Sequence, residues 1–592
     1  MNIVIIGGGA SGLTTASNIR KFDEESQIIV FTTQKHVAYS PCAIPYVIGG
    51  HIDSFNDIIM HRPEEYMRKN IRILTETKVT EINKDLTEVI YEDKKGNKQV
   101  MKYDKLVIAT GGKPLIPPIP GKDLDGVFKV RTVEDGQEIQ AYANKSKRVV
   151  LVGGGAIGLE LGSELANKGL EVTIAEMVPQ LFPRSFDKEM SDKFQEHLQS
   201  NKIEILTGAA VESINGETKV ESVTIDGVEK PADMVILSTG VRPQTELAES
   251  IGCKMGKFAI EVDDHMETSV ENVYAAGDCV QVTNAITGEI TLSPLGTTAV
   301  RQGIILAKHI TGHDIEFQPV LNSTVSQIGN MEMGAIGITE QEAVKQGIDV
   351  VVSRIDSLSR ARYYPGSKPL FIKLIAKVDG TIIGCQMFGQ EAVAERVDTM
   401  TAIMSQKLKC EDVVSMEFSY APPVSTVVDP IAQAAEDCLE QIEQLQSEDA
   451  VEAESDEEVV SADEEVAVDD EANDDAQSDN EEVVDTEKSV EDEEESVDVQ
   501  DENSDEELEE DSEDASVDED KEESVDAQDE NSDEKLEENQ VEESEEIADE
   551  SKDDVKEDNE EAKEIKSVVR DKDMTPDMTF TEYLRSNGFL DN

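Results

Sequence analysis

The sequence predicts an α/β protein: two doubly wound domains, each built around a glycine-rich strand-to-helix turn, then an α+β domain and a disordered acidic tail. Three observations carry this. The pattern strand, glycine turn, helix occurs twice; the pattern changes near Pro319; and beyond residue 447 acidic residues crowd out the apolar mass that a core needs.

The first repeat runs IVIIG into ASGLTTASNIRKF and the second VVLVG into AIGLELGSELANKG. Short β-branched runs leading through glycine into helical periodicity are the βαβ signature of a parallel sheet. From about 320 to 440 come VVVSRID, LFIKLIA and TIIGCQMFG, then the helical EAVAERVDTMTAIMSQKL, which predicts a separate α+β domain. Residues 448–560 hold 59 Asp and Glu against 5 Lys, a net −54 of the chain's −75, with no Gly, Pro, Cys, Phe, Tyr or Trp. Such a segment cannot bury enough apolar surface to offset its ordering entropy. Its near-copy, SVDVQDENSDEELEE at 496–510 and SVDAQDENSDEKLEE at 524–538, is a low-complexity duplication. Phe, Tyr and Leu return at 574–592, predicting a short docking helix within 567–592. This charge excludes nucleic acid as a direct partner and suits a basic protein, so an interaction protein acting through its tail is the competing reading from another class.

The opening strand leaves no room for a basic and apolar leader, and no run of about 18 apolar residues occurs, so no membrane and a cytoplasmic location are expected. The six cysteines, at 42, 253, 279, 385, 410 and 438, include no CxxC, which argues against a disulfide framework or zinc site. His309 and His313 are four apart, but Thr311 and Gly312 end the helix between them; no metal is expected.

Chemistry starts at the two Rossmann-like turns. Gly7, Gly9 and Gly12 form the first, where a backbone without Cβ atoms turns tightly and approaches a pyrophosphate at a helix N-terminus. The acid expected at the end of the next strand is replaced by Thr32 and Thr33. The second turn, Gly153, Gly155 and Gly158, is followed by a strand ending in Glu176. A carboxylate there accepts from a ribose 2′-OH and repels a 2′-phosphate, favouring NADH over NADPH.

Two further segments, KLVIATGG (105–112) and VYAAGDC (273–279), complete a set of four motifs that resembles the pyridine nucleotide–disulfide oxidoreductases over roughly residues 1–440. The resemblance implies a division into an FAD domain (1–112 and 242–319), an NAD(P)H domain (113–241), a dimerisation domain (320–446), a disordered tail (447–566) and the docking helix (567–592). It implies FAD at Gly7, Gly9, Gly12, Thr32, Val79, Thr110, Gly111 and Asp278, the last holding ribitol hydroxyls, and NAD at Gly153, Gly155, Gly158, Glu160, Glu176 and Gly240. A homodimer is implied too.

Cys42, in HVAYSPCAIPYVIGG, has no second cysteine within four residues, so the chain is similar to the single-cysteine branch: coenzyme A disulfide reductases, NADH oxidases and peroxidases, and sulfur or polysulfide reductases. A helix starting near Ala43 is expected to lower the Cys42 thiol pKa. In this branch oxidases carry a His two residues before the last glycine of the first turn, where this chain has Ala10. Coenzyme A disulfide reductases instead share the paired Tyr363 and Tyr364 and the Tyr420-Ala-Pro-Pro segment, whose Tyr363 and Tyr420 imply phenols reaching the partner's cysteine. Thr14, Asn18, Lys21 and Lys69 are the candidate substrate contacts, while Val300 and Val428 stand where the family has phosphate-binding basic residues; the cysteine motif also departs from the family's Ser-Phe at Ala38 and Tyr39. The expected function is an FAD-dependent NAD(P)H oxidoreductase reducing a disulfide-type small molecule (coenzyme A disulfide, polysulfide or persulfide) through Cys42, with NADH oxidase activity on oxygen as the alternative.

Overall fold

The computed structural model describes residues 1–199 and 203–465 of the 592. The expected docking helix lies outside these residues, as does most of the acidic segment with its basic partner. The helix Pro430–Glu465 runs past residue 447. Its 448–465 portion is rich in Glu and free of Gly and Pro, a composition that favours the helical backbone.

Two parallel sheets form the α/β body. In the first, Asn2–Ile6 lies between Gln27–Phe31 and Lys105–Ile108, with Ile71–Leu74 and Val273–Ala275 at the edges. Its central strand is fully buried from Ile3 to Ile5, as expected of a parallel strand covered on both faces. The second has Arg148–Val152 between Glu171–Glu176 and Met234–Leu237, flanked by Ile203–Thr207 and Val127–Lys129. A two-stranded pairing of Gly112–Pro114 with Val241–Pro243 joins the outgoing and returning chain. The third sheet is antiparallel, in the order Thr324–Ile328, Met331–Gly337, Ile382–Gly389, Pro369–Lys377, Val350–Leu358, and packs helix Ala394–Ser405 and the start of Pro430–Glu465.

A buried charge knot ties this third domain to the second sheet's domain. Lys373, at 0 % exposure, pairs with Asp187 at 2.9 Å and Glu340 at 2.7 Å, and with Glu189. Asp187 also accepts from Gln386 Nε2 at 2.6 Å and from the N–H groups of Glu340 and Gln341, which open the helix Glu340–Lys345. No helix among the described residues is long and apolar enough to cross a membrane.

Candidate active site

Both glycine turns form as the spacing requires, and the space around each glycine separates two roles. Gly7 has φ +129°, and a Cβ there would lie 1.9 Å from the Ala109 carbonyl; a Cβ on Gly12 would lie 2.0 Å from the Gly7 carbonyl. The chain itself therefore demands these two. Gly9 precedes the helix Ala10–Phe22 with nothing within 4 Å of an added Cβ. In the second turn Gly153 has φ +114° and a Cβ would meet the Ser238 carbonyl at 2.5 Å, whereas Gly155, ahead of Ala156–Asn167, again faces open space. The middle glycines are not required by the protein's own packing, which fits a ligand approaching the backbone where a helix N-terminus offers free N–H groups.

The first turn opens into a cleft of about 1440 Å³ lined by Gly7, Gly9, Thr32, Val79, Thr110, Gly111 and Asp278, together with Tyr39 and Cys42. Gly12 stands behind it under the turn. Thr110 Oγ1 donates to the Gln244 carbonyl at 2.6 Å, and Asp278 pairs with Arg131 at 3.1 Å. Arg131 was invisible to sequence reasoning because it lies 147 residues away in the chain. The cleft's size and its carboxylate and glycine turn suit FAD.

At the second turn Glu176 ends its strand against the glycine loop, accepting from Gly154 N–H at 2.6 Å and Val178 N–H at 3.0 Å. This orients the carboxylate while leaving lone pairs free. Gly240, with φ +109°, has open space around it. Glu160 follows Gly158 by two residues. It is on the helix Ala156–Asn167, accepts from Ser326 Oγ at 2.8 Å, and acts electrostatically on Cys42 and Tyr46. Burial pushes its carboxyl up to about 7; the Ser326 hydrogen bond opposes this and Glu164 adds to it.

Cys42 is exposed while the other five cysteines are buried. It lies in the 3₁₀ turn Pro41–Ala43, followed by the helix Ile44–Gly49. The expectation of a lowered thiol pKa is corrected: burial of the sulfur's surroundings raises it, the Glu160 charge raises it further, and Arg131 only partly opposes them. The helix has six residues and starts two positions after the cysteine, so its dipole is short and poorly placed. Sequence reasoning also missed Tyr46, Glu164 and His51 around this segment. Glu164, 5 % exposed, meets His51 Nε2 at 3.0 Å, and it fills the space a Cβ on Gly49 would need.

Among the substrate candidates, Thr14 and Asn18 line the cleft, Lys21 Nζ is turned to Asn18 Oδ1 at 3.0 Å, and Lys69 lies away from it. Tyr363 and Tyr420 are brought together, their hydroxyls 2.7 Å apart, but neither lines the cleft that holds Cys42 of the same chain. Both are exposed, as are the neighbouring Val424 and Val427.

The family described as pyridine nucleotide-disulphide oxidoreductase matches residues 1–303, and the dimerisation domain of the same family matches 326–431. A protein named NADH oxidase from Methanocaldococcus jannaschii is 52% identical over 75% of this chain and 99% of its own. A protein named NAD(P)H sulfur oxidoreductase (CoA-dependent) from Pyrococcus abyssi is 36% identical over 73% of this chain and 97% of its own. The solved structure of an NAD-dependent persulfide reductase from A. fulgidus is similar with TM-score 0.73 and 34% identity, covering 75% of this chain and 84% of that one.

Proposed function

The chain belongs to the pyridine nucleotide-disulphide oxidoreductase family, and from that premise we propose that it reduces a disulfide-type sulfur substrate (coenzyme A disulfide, polysulfide or persulfide) at Cys42, using NADH in preference to NADPH. The observation that carries this reading is that the one exposed thiol lines the same cleft as the Gly7 turn, Thr110 and Asp278.

FAD and the nicotinamide nucleotide, when bound, supply an electron pair. The chain's residues do the rest. The Gly7 and Gly153 turns hold the two pyrophosphates, Asp278 with Arg131 holds flavin hydroxyls, and Glu176 selects against a 2′-phosphate. The Cys42 thiolate attacks a substrate sulfur; the S–S bond breaks, a mixed disulfide forms, and the leaving thiolate takes up a proton. Two electrons and a second proton then release the second thiol and restore Cys42. Tyr363 and Tyr420, paired and facing out beside the apolar Val424 and Val427, complete the site of a second copy in a homodimer, placing a phenol near the leaving thiolate. The reaction has no need of a membrane, and a cytoplasmic enzyme is proposed.

A second reading, NADH oxidase reducing oxygen, is favoured by the name of the 52% identical relative. Ala10 opposes it, since no acid or base stands in the first turn beside the cysteine. Steady-state rates of wild type and Cys42→Ser with oxygen, coenzyme A disulfide, polysulfide and persulfide decide between them. Sulfur-substrate turnover that disappears in Cys42→Ser supports the first reading. Oxygen as the sole efficient acceptor, with the mutant retaining full rate, supports the second.

A further inference from the structure

The turn at 276–278 leaves the edge strand Val273–Ala275 and carries Asp278 into the cleft. One peptide of this turn is gripped by side chains from two helices. Ser11 Oγ, in the first turn of Ala10–Phe22, donates to the Ala276 carbonyl at 3.1 Å, and Gln302 Oε1, on the helix Gly296–Ile310, accepts from the Gly277 N–H at 2.7 Å. These two groups belong to the same planar peptide unit, whose C=O and N–H point in opposite directions, so Ser11 and Gln302 hold its opposite edges. Gly277 is buried, with φ +91°, and an added Cβ would lie 2.5 Å from Ser11 Oγ. Gly303, next to Gln302, closes the same junction: a Cβ there would lie 2.7 Å from the Ser11 carbonyl oxygen. Gln302 is 1 % exposed and does not line the cleft, whereas Ser11, Gly277, Asp278, Gly296 and Ala299 do.

The Gln302 amide is only half used, because its Nε2 is buried without a hydrogen-bond partner among the described residues. Without this side chain the unpaired donor would be the buried Gly277 N–H; with it, the unpaired donor is Nε2. A buried donor left unpaired costs at least as much as one neutral hydrogen bond returns, so the exchange adds little stability. What the amide does change is the freedom of one peptide. We propose that Gln302 is a positioning residue for the flavin: by holding the 276–277 peptide from the edge opposite Ser11, it sets the direction in which Asp278 leaves the turn, and with it the carboxylate's hold on the flavin hydroxyls. This role rests on FAD occupying the cleft. Glycine at 277 makes the grip necessary, since without a Cβ the peptide beside it swivels freely. Arg131 fixes the carboxylate end of Asp278 at 3.1 Å, and Gln302 fixes the backbone end.

The test is a double-mutant cycle on FAD affinity, read from the quenching of flavin fluorescence as FAD is added to deflavinated full-length protein. Gln302→Met keeps the side chain's length and removes both amide groups. In the wild-type background it should weaken FAD binding by roughly 3–10-fold, the worth of one hydrogen bond. In the Asp278→Ala background no carboxylate is left to position, so the same change should alter affinity by less than about twofold, because residues that act through one another give non-additive losses. The urea midpoint of the flavin-free protein should be nearly the same with and without Gln302→Met. If Gln302→Met does not fold, Gln302→Asn, whose amide stops one methylene short of the Gly277 N–H, takes its place in the cycle with the same expectation. Equal losses in both backgrounds, or no loss in either, overturn the positioning role while leaving FAD in the cleft. Asp278→Ala binding FAD as tightly as wild type would instead overturn the hold of Asp278 on the flavin, and the role of Gln302 with it.

Discussion

Gly155→Ala should separate ligand demand from folding demand in one substitution. Gly155 has φ −86° and nothing within 4 Å of an added Cβ, so alanine fits without clash or strain. Its cost to stability should stay within about 0.5 kcal/mol. The methyl group, however, would occupy the space through which the backbone N–H groups of the helix N-terminus reach a pyrophosphate. Losing one hydrogen bond to a charged oxygen costs about 1.5–3 kcal/mol, which is roughly 10–100-fold in nucleotide affinity. Gly153→Ala is the contrast: at φ +114° and 2.5 Å from the Ser238 carbonyl, it should lose at least about 1–3 kcal/mol of stability as well as nucleotide binding. The assay is NADH titration calorimetry on the FAD-loaded protein beside urea unfolding of both variants. Gly155→Ala with unaltered NADH affinity would refute the placement of the pyrophosphate over this turn. Equal destabilisation by the two variants would refute the division of roles among the glycines.

Asp278→Ala should release flavin on dialysis, measured by the yellow absorbance retained with the protein; full retention would mean that Arg131 and the glycine turn suffice. Glu176→Arg should raise kcat/KM for NADPH relative to NADH by at least about tenfold, and an unchanged ratio would mean that the ribose lies elsewhere. Lys373→Met should cost about 3–5 kcal/mol, because it leaves the buried Asp187 without its cation, and urea unfolding measures it. The pH dependence of that contribution follows from the shifts. Burial lowers Lys373, but the hydrogen bonds it donates to Glu189, Glu340 and Asp187 win and raise it, so its share is complete below 10.5 and is lost as pH rises through the raised value. Burial raises Asp187 and Glu189, yet Lys373 leads the hydrogen bonds that bring both below their ordinary values of 3.8 and 4.5, so their share is complete above those values and lost on acidification. The wild-type advantage over Lys373→Met should thus be flat between about pH 5 and 10, and one confined to acid pH would contradict this.

What the sequence disclosed was whatever is written locally. The strand–turn–helix units, the three-glycine spacing and Glu176 at its strand end each lie within about 25 residues, and periodicity and turn chemistry specify them without the rest of the fold. Cys42 stood out by the motif around it and by the absence of a second cysteine; it is exposed and the other five cysteines are buried. Long-range meetings were not legible. Arg131 reaches Asp278 across 147 residues of chain, Lys373 finds its acids 184 and 186 residues away in sequence, and Ser326 comes to Glu160 from the third sheet. No spacing rule announces such pairs. The Cys42 pKa was misjudged for a related reason: a local helix was visible in sequence, whereas the burial and the Glu160 charge that outweigh it come from elements brought in by the fold.

The central claim, that Cys42 is a redox centre working with the flavin, is tested most directly by anaerobic titration of the purified protein with NADH while the flavin absorbance is followed. The account predicts that the cysteine, isolated as a mixed disulfide or oxidised form, consumes two electrons per subunit before the flavin bleaches, and that Cys42→Ser bleaches with the first equivalent. Bleaching of fresh wild-type protein by the first equivalent, with the mutant indistinguishable from it, would contradict the account.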